Sequence, residues 1–444
     1  MILTDKQIDH YKRHIIIPEV GEEGQRKLLD STAILYCENV ESLRPLAYYL
    51  AALGMGRIFC YLENKSKSES LFDEVVDLNN DTSIEFLSKD NTADYRIVLG
   101  SINFVKKIAD ELLNEKFIQT IVSVNSQWKG TLQTFDNHIL FKSFINSLNI
   151  SNDISNSSTV FLANALSATL CSIEAAKHCL NIGTSQKYML VYDLFEMKFT
   201  TIEDSNNLSE ILKELNSTKI NQNLAKAKVL VVGAGGLGAP AAYGLAIAGV
   251  GTLGLLDLDV VEMSNLNRQV LHSFSRIGMS KAKSAEYLLK KINPIINIKT
   301  HIKELTQDNA EEIFSDYDLI IAAVDNIPTR YLINDTCIKL HKAFVEAGVL
   351  RLDGTATTII PYEGHCYRCL YPNIDISSFT NNDNGVLGPL PGVMGFIQAA
   401  EAIKVLTEIG TTLKNKILLF NALDMDFNII EIQRNPECLT CGDN

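Results

Sequence analysis

The chain lacks an excess of basic residues: 40 Lys and Arg stand against 53 Asp and Glu, a formal net charge of −13 over 444 residues. Neutralising phosphates takes clustered cations, so this balance argues against a nucleic-acid partner. A basic stretch followed by an apolar one is missing after Met1. No signal peptide is therefore expected, and the expected location is the cytoplasm. Residues 229–256 carry no charge and are long enough for a membrane span. Eight of these 28 residues are glycine, however, which predicts strand, tight turn, helix and second strand, and no membrane partner. The remaining composition, 46% hydrophobic and 21% charged, is that of a globular chain with room for two or three domains.

Nine cysteines occur without secretory signals. Cys37, Cys60, Cys171, Cys179 and Cys337 stand singly in apolar surroundings and read as buried packing residues. The other four form two Cys-x-x-Cys pairs, Cys366/Cys369 and Cys438/Cys441. In a reducing compartment such pairs read as metal ligands before disulfides. Four thiolates close a tetrahedral Zn²⁺ site to catalysis, so a structural role is expected, tying the C-terminus to the central segment.

The sequence repeats itself. Gly54-Met-Gly56 resembles Gly249-Val-Gly251, and at the same offset Leu35, Pro45, Ala47, Tyr48, Leu50 and Ala51 meet Leu230, Pro240, Ala242, Tyr243, Leu245 and Ala246. Asp94-Tyr95 later parallels Asp316-Tyr317, and Glu174-Ala-Ala-Lys177 parallels Glu401-Ala-Ile-Lys404. Matches in one order with slowly growing offsets indicate a tandem duplication. Each copy alternates strands and helices, which predicts an α/β fold with a largely parallel sheet. The polar stretch from Asp204 to about Lys226 is the expected junction, with a short helix over 208–215. The expected domains are 1–204, a linker 205–225, and 226–444.

The copies differ where chemistry would sit. Gly233, Gly235, Gly236 and Gly238 follow an apolar strand and precede an Ala-rich helix, the arrangement that lets backbone amides approach phosphate. Their counterparts are Glu38, Val40, Glu41 and Leu43, whose side chains would obstruct and repel a triphosphate. The first copy is therefore expected to bind no nucleotide. In the second, Asp257 ends the next strand, placed for ribose hydroxyls, but a glycine loop with an acidic residue fits NAD or FAD as well as ATP. Arg268, Lys281 and Asp325 narrow the choice. Two cations directed at one phosphate cluster suit a triphosphate whose leaving pyrophosphate gathers charge, and a carboxylate suits Mg²⁺. An NAD-dependent oxidoreductase leaves both cations unexplained, and a non-catalytic scaffold leaves the intact second copy unexplained.

These residues resemble the ThiF/MoeB/HesA adenylyltransferases, relatives of the ubiquitin-activating enzymes. The matching motifs are Gly233-Ala-Gly-Gly-Leu-Gly238, Leu256-Asp-Leu-Asp259, Asn265-Leu-Asn-Arg-Gln269, Lys281, Asp325-Asn326, both cysteine pairs and Gly388-Pro-Leu-Pro-Gly392. The resemblance implies that Asp257 contacts the ribose, that Asn265, Arg268 and Lys281 address the phosphates of ATP, and that Asp325 holds Mg²⁺. Asp259, Gln269 and Asn326 belong to the same implied nucleotide site. Tyr11 to Gly21 is similar to the family's N-terminal helix and loop, whose arginine, here Arg13, reaches a partner's active site in homodimeric members. No second such segment precedes the glycine loop, so the resemblance implies a pseudo-dimer of two Rossmann-like ThiF-type domains in one chain, with further homodimerisation left open.

The implied reaction is adenylylation of a polypeptide C-terminus. Its implied partner is a small ubiquitin-like sulfur carrier ending in Gly-Gly, or a precursor peptide as in microcin-type maturation. Many relatives carry a cysteine just before the segment Gly385-Val386. Thr380 to Val386 contains none, with Asn381 nearest that position, so no thioester is expected there.

Overall fold

The computed structural model describes residues 2–65, 68–148, 162–203, 222–372 and 385–442. The first sheet comprises β1 (Thr32–Cys37), β2 (Arg57–Leu62), β3 (Ser83–Phe86), β4 (Tyr95–Gly100), β5 (Gln119–Val124), β6 (Lys129–Phe135), β7 (Met189–Asp193) and β8 (Lys198–Ile202). The second comprises β9 (Lys228–Val232), β10 (Thr252–Leu256), β11 (Asn297–His301), β12 (Leu319–Ala322), β13 (Ala343–Leu350), β14 (Asp353–Ile359), β15 (Lys416–Asn421) and β16 (Asp426–Glu431). Their orders are β3-β2-β1-β4-β5-β6-β7-β8 and β11-β10-β9-β12-β13-β14-β15-β16, one topology used twice.

In each sheet five strands are parallel and the last three run antiparallel. The expectation of a largely parallel sheet thus holds for five strands of eight. The direction reverses because β5–β6 and β13–β14 are joined by four and two residues, too few for a parallel crossover. Central β1 and β4 are buried at every residue, as strands covered by helices on both faces must be.

The repeated Gly-x-Gly has a mechanical reason. Gly54 and Gly249 end the helices Val40–Leu53 and Gly238–Ala248 in the left-handed region, at φ 88° and 86°. A β-carbon on Gly56 would lie 1.9 Å from Leu29 O, and one on Gly251 2.0 Å from Ala225 O. Only glycine admits that approach.

The two halves meet through the helices Leu162–Leu180 and Pro389–Thr407, both almost wholly buried and packed on each other. Each carries a buried Glu–Lys pair, Glu174–Lys177 and Glu401–Lys404. Each glutamate also accepts from a threonine, Thr134 Oγ1 at 2.9 Å in one half and Thr358 Oγ1 in the other. A buried ion pair persists when its remaining lone pairs are satisfied in this way. Phe199 and Phe427 stack at 4.0 Å across the same junction.

The strand positions also account for the growing offset. β2 and β10 begin 195 residues apart, at Arg57 and Thr252, whereas β3 and β11 begin 214 apart, at Ser83 and Asn297. The second half therefore has 19 more residues between these strands (214 − 195), placed between β10 and the helix that begins at Lys281, and that insertion carries Asn265 and Arg268.

Of the expected linker only 222–226 is described, as a 3₁₀ turn; the expected helix over 208–215 and the stretch around Asn381 lie outside the described residues. Cys37, Cys60, Cys171 and Cys337 are buried, while Cys179 is half-buried.

Candidate nucleotide site and zinc-ligand cluster

The glycine loop leaves β9, Asp257 leaves β10 and Asp325 follows β12, so all three meet at the C-terminal edge of adjacent parallel strands. From β9 the chain goes to β10 on one side, and β12 lies on the other. This is the switch point at which open α/β sheets receive ligands. Gly233 adopts φ +94°, and a β-carbon on Gly238 would lie 1.7 Å from Gly233 O, so the turn tolerates no side chain there. The Asp257 carboxylate accepts from Ala234 N at 2.7 Å and Asp259 N at 2.8 Å. It thereby joins the glycine loop to the second strand. Burial raises its pKa, opposed by the Lys281 charge and the two amides.

Lys281 begins the helix Lys281–Ile292, is buried, and reaches Asp259 at 2.8 Å. Asn265 is buried and its Oδ1 accepts from Glu262 N at 3.1 Å, closing the 3₁₀ turn Met263–Asn265. One turn on, Arg268 donates to Ser264 O and Asn267 Oδ1, each at 2.8 Å. Its pKa is lowered to about 10, first by burial and then by the positive charge of Arg13, while Asp325 opposes the shift. Charges from two distant places in the sequence thus act on Arg268 within one chain. Gln269 is buried beside Gly235, and its Oε1 has no hydrogen-bond partner among the described residues. Asp325 is exposed, and Asn326 caps the helix Ile327–Lys339 by accepting from Thr329 N at 2.9 Å.

The corresponding place in the first half is filled. Glu38 accepts from Ser101 N and Ser101 Oγ, both at 2.9 Å, which bridges the ends of β1 and β4. Asn39 then caps a helix that starts at Val40, where the second half still has its loop. A carboxylate thus stands at the position that corresponds to Gly233, and the helix begins where the second half has its loop.

Three residues escaped the sequence reading. Arg330 donates to Val324 O at 2.9 and 3.1 Å and pairs with buried Glu346 on β13, bracing the backbone just before Asp325. A cation in the first turn of a helix opposes the dipole, and that anomaly was the available signal. His272 is buried between Ser284 Oγ and Ala234 O, both at 2.9 Å, and burial holds its pKa near 3. His14 accepts from Gly388 N at 3.0 Å.

Cys366, Cys369, Cys438 and Cys441 offer sulfurs within 4.8 Å of one another, with contacts of 3.8, 3.6 and 3.4 Å. A tetrahedral Zn–S bond of about 2.3 Å implies S···S separations of roughly 3.8 Å, so the donor set fits zinc. The cluster sits on the helix Ile327–Lys339. Arg368 pairs with Asp335 at 2.7 Å and lies 4.1 Å from the Tyr331 ring, and Tyr367 N donates to Asn334 Oδ1 at 2.8 Å. Among the described residues no helix is long and apolar enough to cross a membrane.

A family model described as the ThiF family matches residues 205–440. The adenylyltransferase and sulfurtransferase MOCS3 of Arabidopsis thaliana is 44% identical over 225 residues, 50% of this chain and 48% of that protein. The Xenopus laevis protein of the same name is 45% identical over 223 residues, 49% of each chain. The chain thus spans about half the length of the curated relatives it matches. The crystal structure of PaaA aligns with TM-score 0.42 and 24% identity over 48% of this chain and 74% of that one. Through the glycine loop, the Asn265–Gln269 motif and the paired cysteines, all inside the matched region, the chain belongs to the ThiF family.

Proposed function

We propose that residues 226–444 form an adenylylation domain that activates the C-terminal carboxylate of a small protein or peptide with MgATP. A carboxylate oxygen bonds to the α-phosphorus, the bond from that phosphorus to the α,β-bridging oxygen breaks, and pyrophosphate leaves with the electron pair. The products are an acyl-adenylate and pyrophosphate. The observation that carries this reading is Arg268 against the glycine loop, where a β-carbon on Gly236 would stand 3.6 Å from its Cγ, with Arg13 and Asp325 both acting on its charge. Fixed cations aimed at the leaving group stabilise the charge that develops there. Asp257 takes the ribose, and Lys281 exchanges its Asp259 partner for phosphate. Asp325 would hold Mg²⁺, which neutralises phosphate charge when bound. The four cysteines would hold Zn²⁺ in a closed, structural site.

In this reading residues 1–204 are a degenerate copy of the same fold, the linker is 205–225, and the two copies make a pseudo-dimer with one working site. The repeated strand order and the Glu38 plug support it. The substrate is a ubiquitin-like sulfur carrier ending in Gly-Gly. The family resemblance and the sulfurtransferase in the relatives' names support that class. The acyl group passes directly to an external acceptor or to a nucleophile of the substrate. The test is ATP–pyrophosphate exchange, expected only when such a carrier is present; no exchange with a carrier would reject the reading.

A further inference from the structure

Hydrogen bonds to both flanks of Arg13 hold its arm to the second half. Asn267 Nδ2 donates to His10 O at 2.7 Å, Val386 N donates to Arg13 O at 3.0 Å, and Gly388 N donates to His14 Nε2 at 3.0 Å. The last uses the side chain of His14, next to Arg13, and further along the arm Glu19 pairs with Arg351 at 3.2 Å. His14 is fully buried, and its Nδ1 meets Gln25 Oε1 at 3.1 Å. Gln25 Nε2 in turn donates to Leu53 O at 2.9 Å, at the end of the first-half helix Val40–Leu53. An amide N–H at Gly388 leaves His14 Nε2 as the acceptor, so Nδ1 carries the proton and donates to Gln25. A polar chain therefore runs from the first-half helix, through Gln25 and His14, to the N-cap of the second-half helix Pro389–Thr407. The first turn of that helix lies on the phosphate loop, since a β-carbon on Gly236 would stand 3.3 Å from Pro391 Cβ.

We propose that His14, in its neutral Nδ1–H form, is the positioning residue that sets Arg13 opposite Arg268 by pinning the arm to Gly388. The proposal deepens the adenylylation reading and rests on it for the role of Arg13. His14 touches no substrate. It acts because it is buried and adjoins Arg13 in the sequence, whereas the Glu19–Arg351 pair lies six residues away, and because misplacing a catalytic cation by about 1 Å costs on the order of 100-fold in rate.

The experiment compares wild type, His14→Leu, His14→Gln, Arg13→Ala and the double variant His14→Leu/Arg13→Ala. Glutamine offers an acceptor and a donor on one side chain, so it can replace both hydrogen bonds; leucine replaces neither. With MgATP and a Gly-Gly-ended ubiquitin-like carrier as probes, His14→Leu should lower exchange turnover about tenfold or more while MgATP affinity stays within about threefold. His14→Gln should recover most of the turnover. The double variant should be no slower than Arg13→Ala, because a residue acting through another is not additive with it. Without nucleotide, hydrogen exchange of peptides covering 10–20 and 385–392 should accelerate in His14→Leu and return in His14→Gln. Additive losses in the double variant, or unchanged turnover and exchange protection in His14→Leu, would overturn the proposal. Absence of exchange in wild type with intact protection would reject adenylylation instead, and the protection data would still decide whether His14 pins the arm. Should His14→Leu fail to fold, a His14→Gln protein that folds but has lost turnover would overturn it.

Discussion

Arg13→Ala separates a catalytic contribution from a structural one. The backbone of Arg13 keeps its hydrogen bond to Val386 N when the side chain is cut, and the residue is only half-buried, so the arm should stay docked. The stability change should stay within about 0.5 to 1 kcal/mol. Arg268, held near 10 mainly by burial and then by Arg13, is cationic at pH 7 with or without its neighbour, and losing Arg13 only raises its pKa further. The variant therefore tests Arg13 itself. A fixed donor aimed at developing charge is worth roughly 100- to 1000-fold in turnover, about 2.7 to 4 kcal/mol of barrier. Turnover in carrier-dependent pyrophosphate exchange should fall by that factor, with MgATP affinity changed only a few-fold. Because Arg13 and Arg268 are neighbours within one chain, mixing Arg13→Ala with Lys281→Ala protein should restore nothing. Recovery in the mixture would mean that arginines are exchanged between chains, and unchanged turnover in Arg13→Ala alone would refute the assignment.

Zinc removal should lower the melting temperature and loosen the segment 434–442, because a four-thiolate site leaves no open position for chemistry. About one Zn²⁺ per chain should be found by metal analysis, and a metal-free protein with unaltered melting would contradict this. Burial holds His10 and His14 near 4 and His272 near 3, below an unfolded value of about 6.5. The folded state binds fewer protons, so stability is full above pH 6.5 and is lost as pH falls from there toward 4. His272→Gln should flatten that slope by up to roughly 1.4 kcal/mol per pH unit in urea titrations; an unchanged slope would exclude His272 as a contributor. Glu346→Ala strands the Arg330 charge, which should cost about 3 to 5 kcal/mol of stability, and a variant of wild-type stability would show that the pair is dispensable.

What the sequence disclosed was local. The glycine loop, the end of β10 at Asp257 and the cysteine pairs are short motifs whose chemistry is complete within a few residues, and each lies where the reading expected it. The second copy of the fold was visible because Gly54-x-Gly56 and Gly249-x-Gly251 are both forced by a close backbone contact. The antiparallel end of each sheet was not, since alternating burial looks the same in either strand direction. Partnerships across hundreds of residues were also hidden. His14 meets Gly388, and Asp77 accepts from Ser275 N at 2.9 Å, with nothing in either segment to announce the other. The insertion bearing Asn265 and Arg268 appeared in the sequence only as a drift in offset.

Exchange of labelled pyrophosphate into ATP by Asp325→Ala, alongside wild type, tests the central claim most directly. Asp325 is exposed at the C-terminal edge of β12 and, among the described residues, forms no ion pair within 4 Å, so its removal should change melting little. Carrier-dependent exchange in wild type and none in Asp325→Ala is the predicted result. Full exchange in the variant would contradict the account, by removing from the chemistry the one carboxylate assigned to the metal.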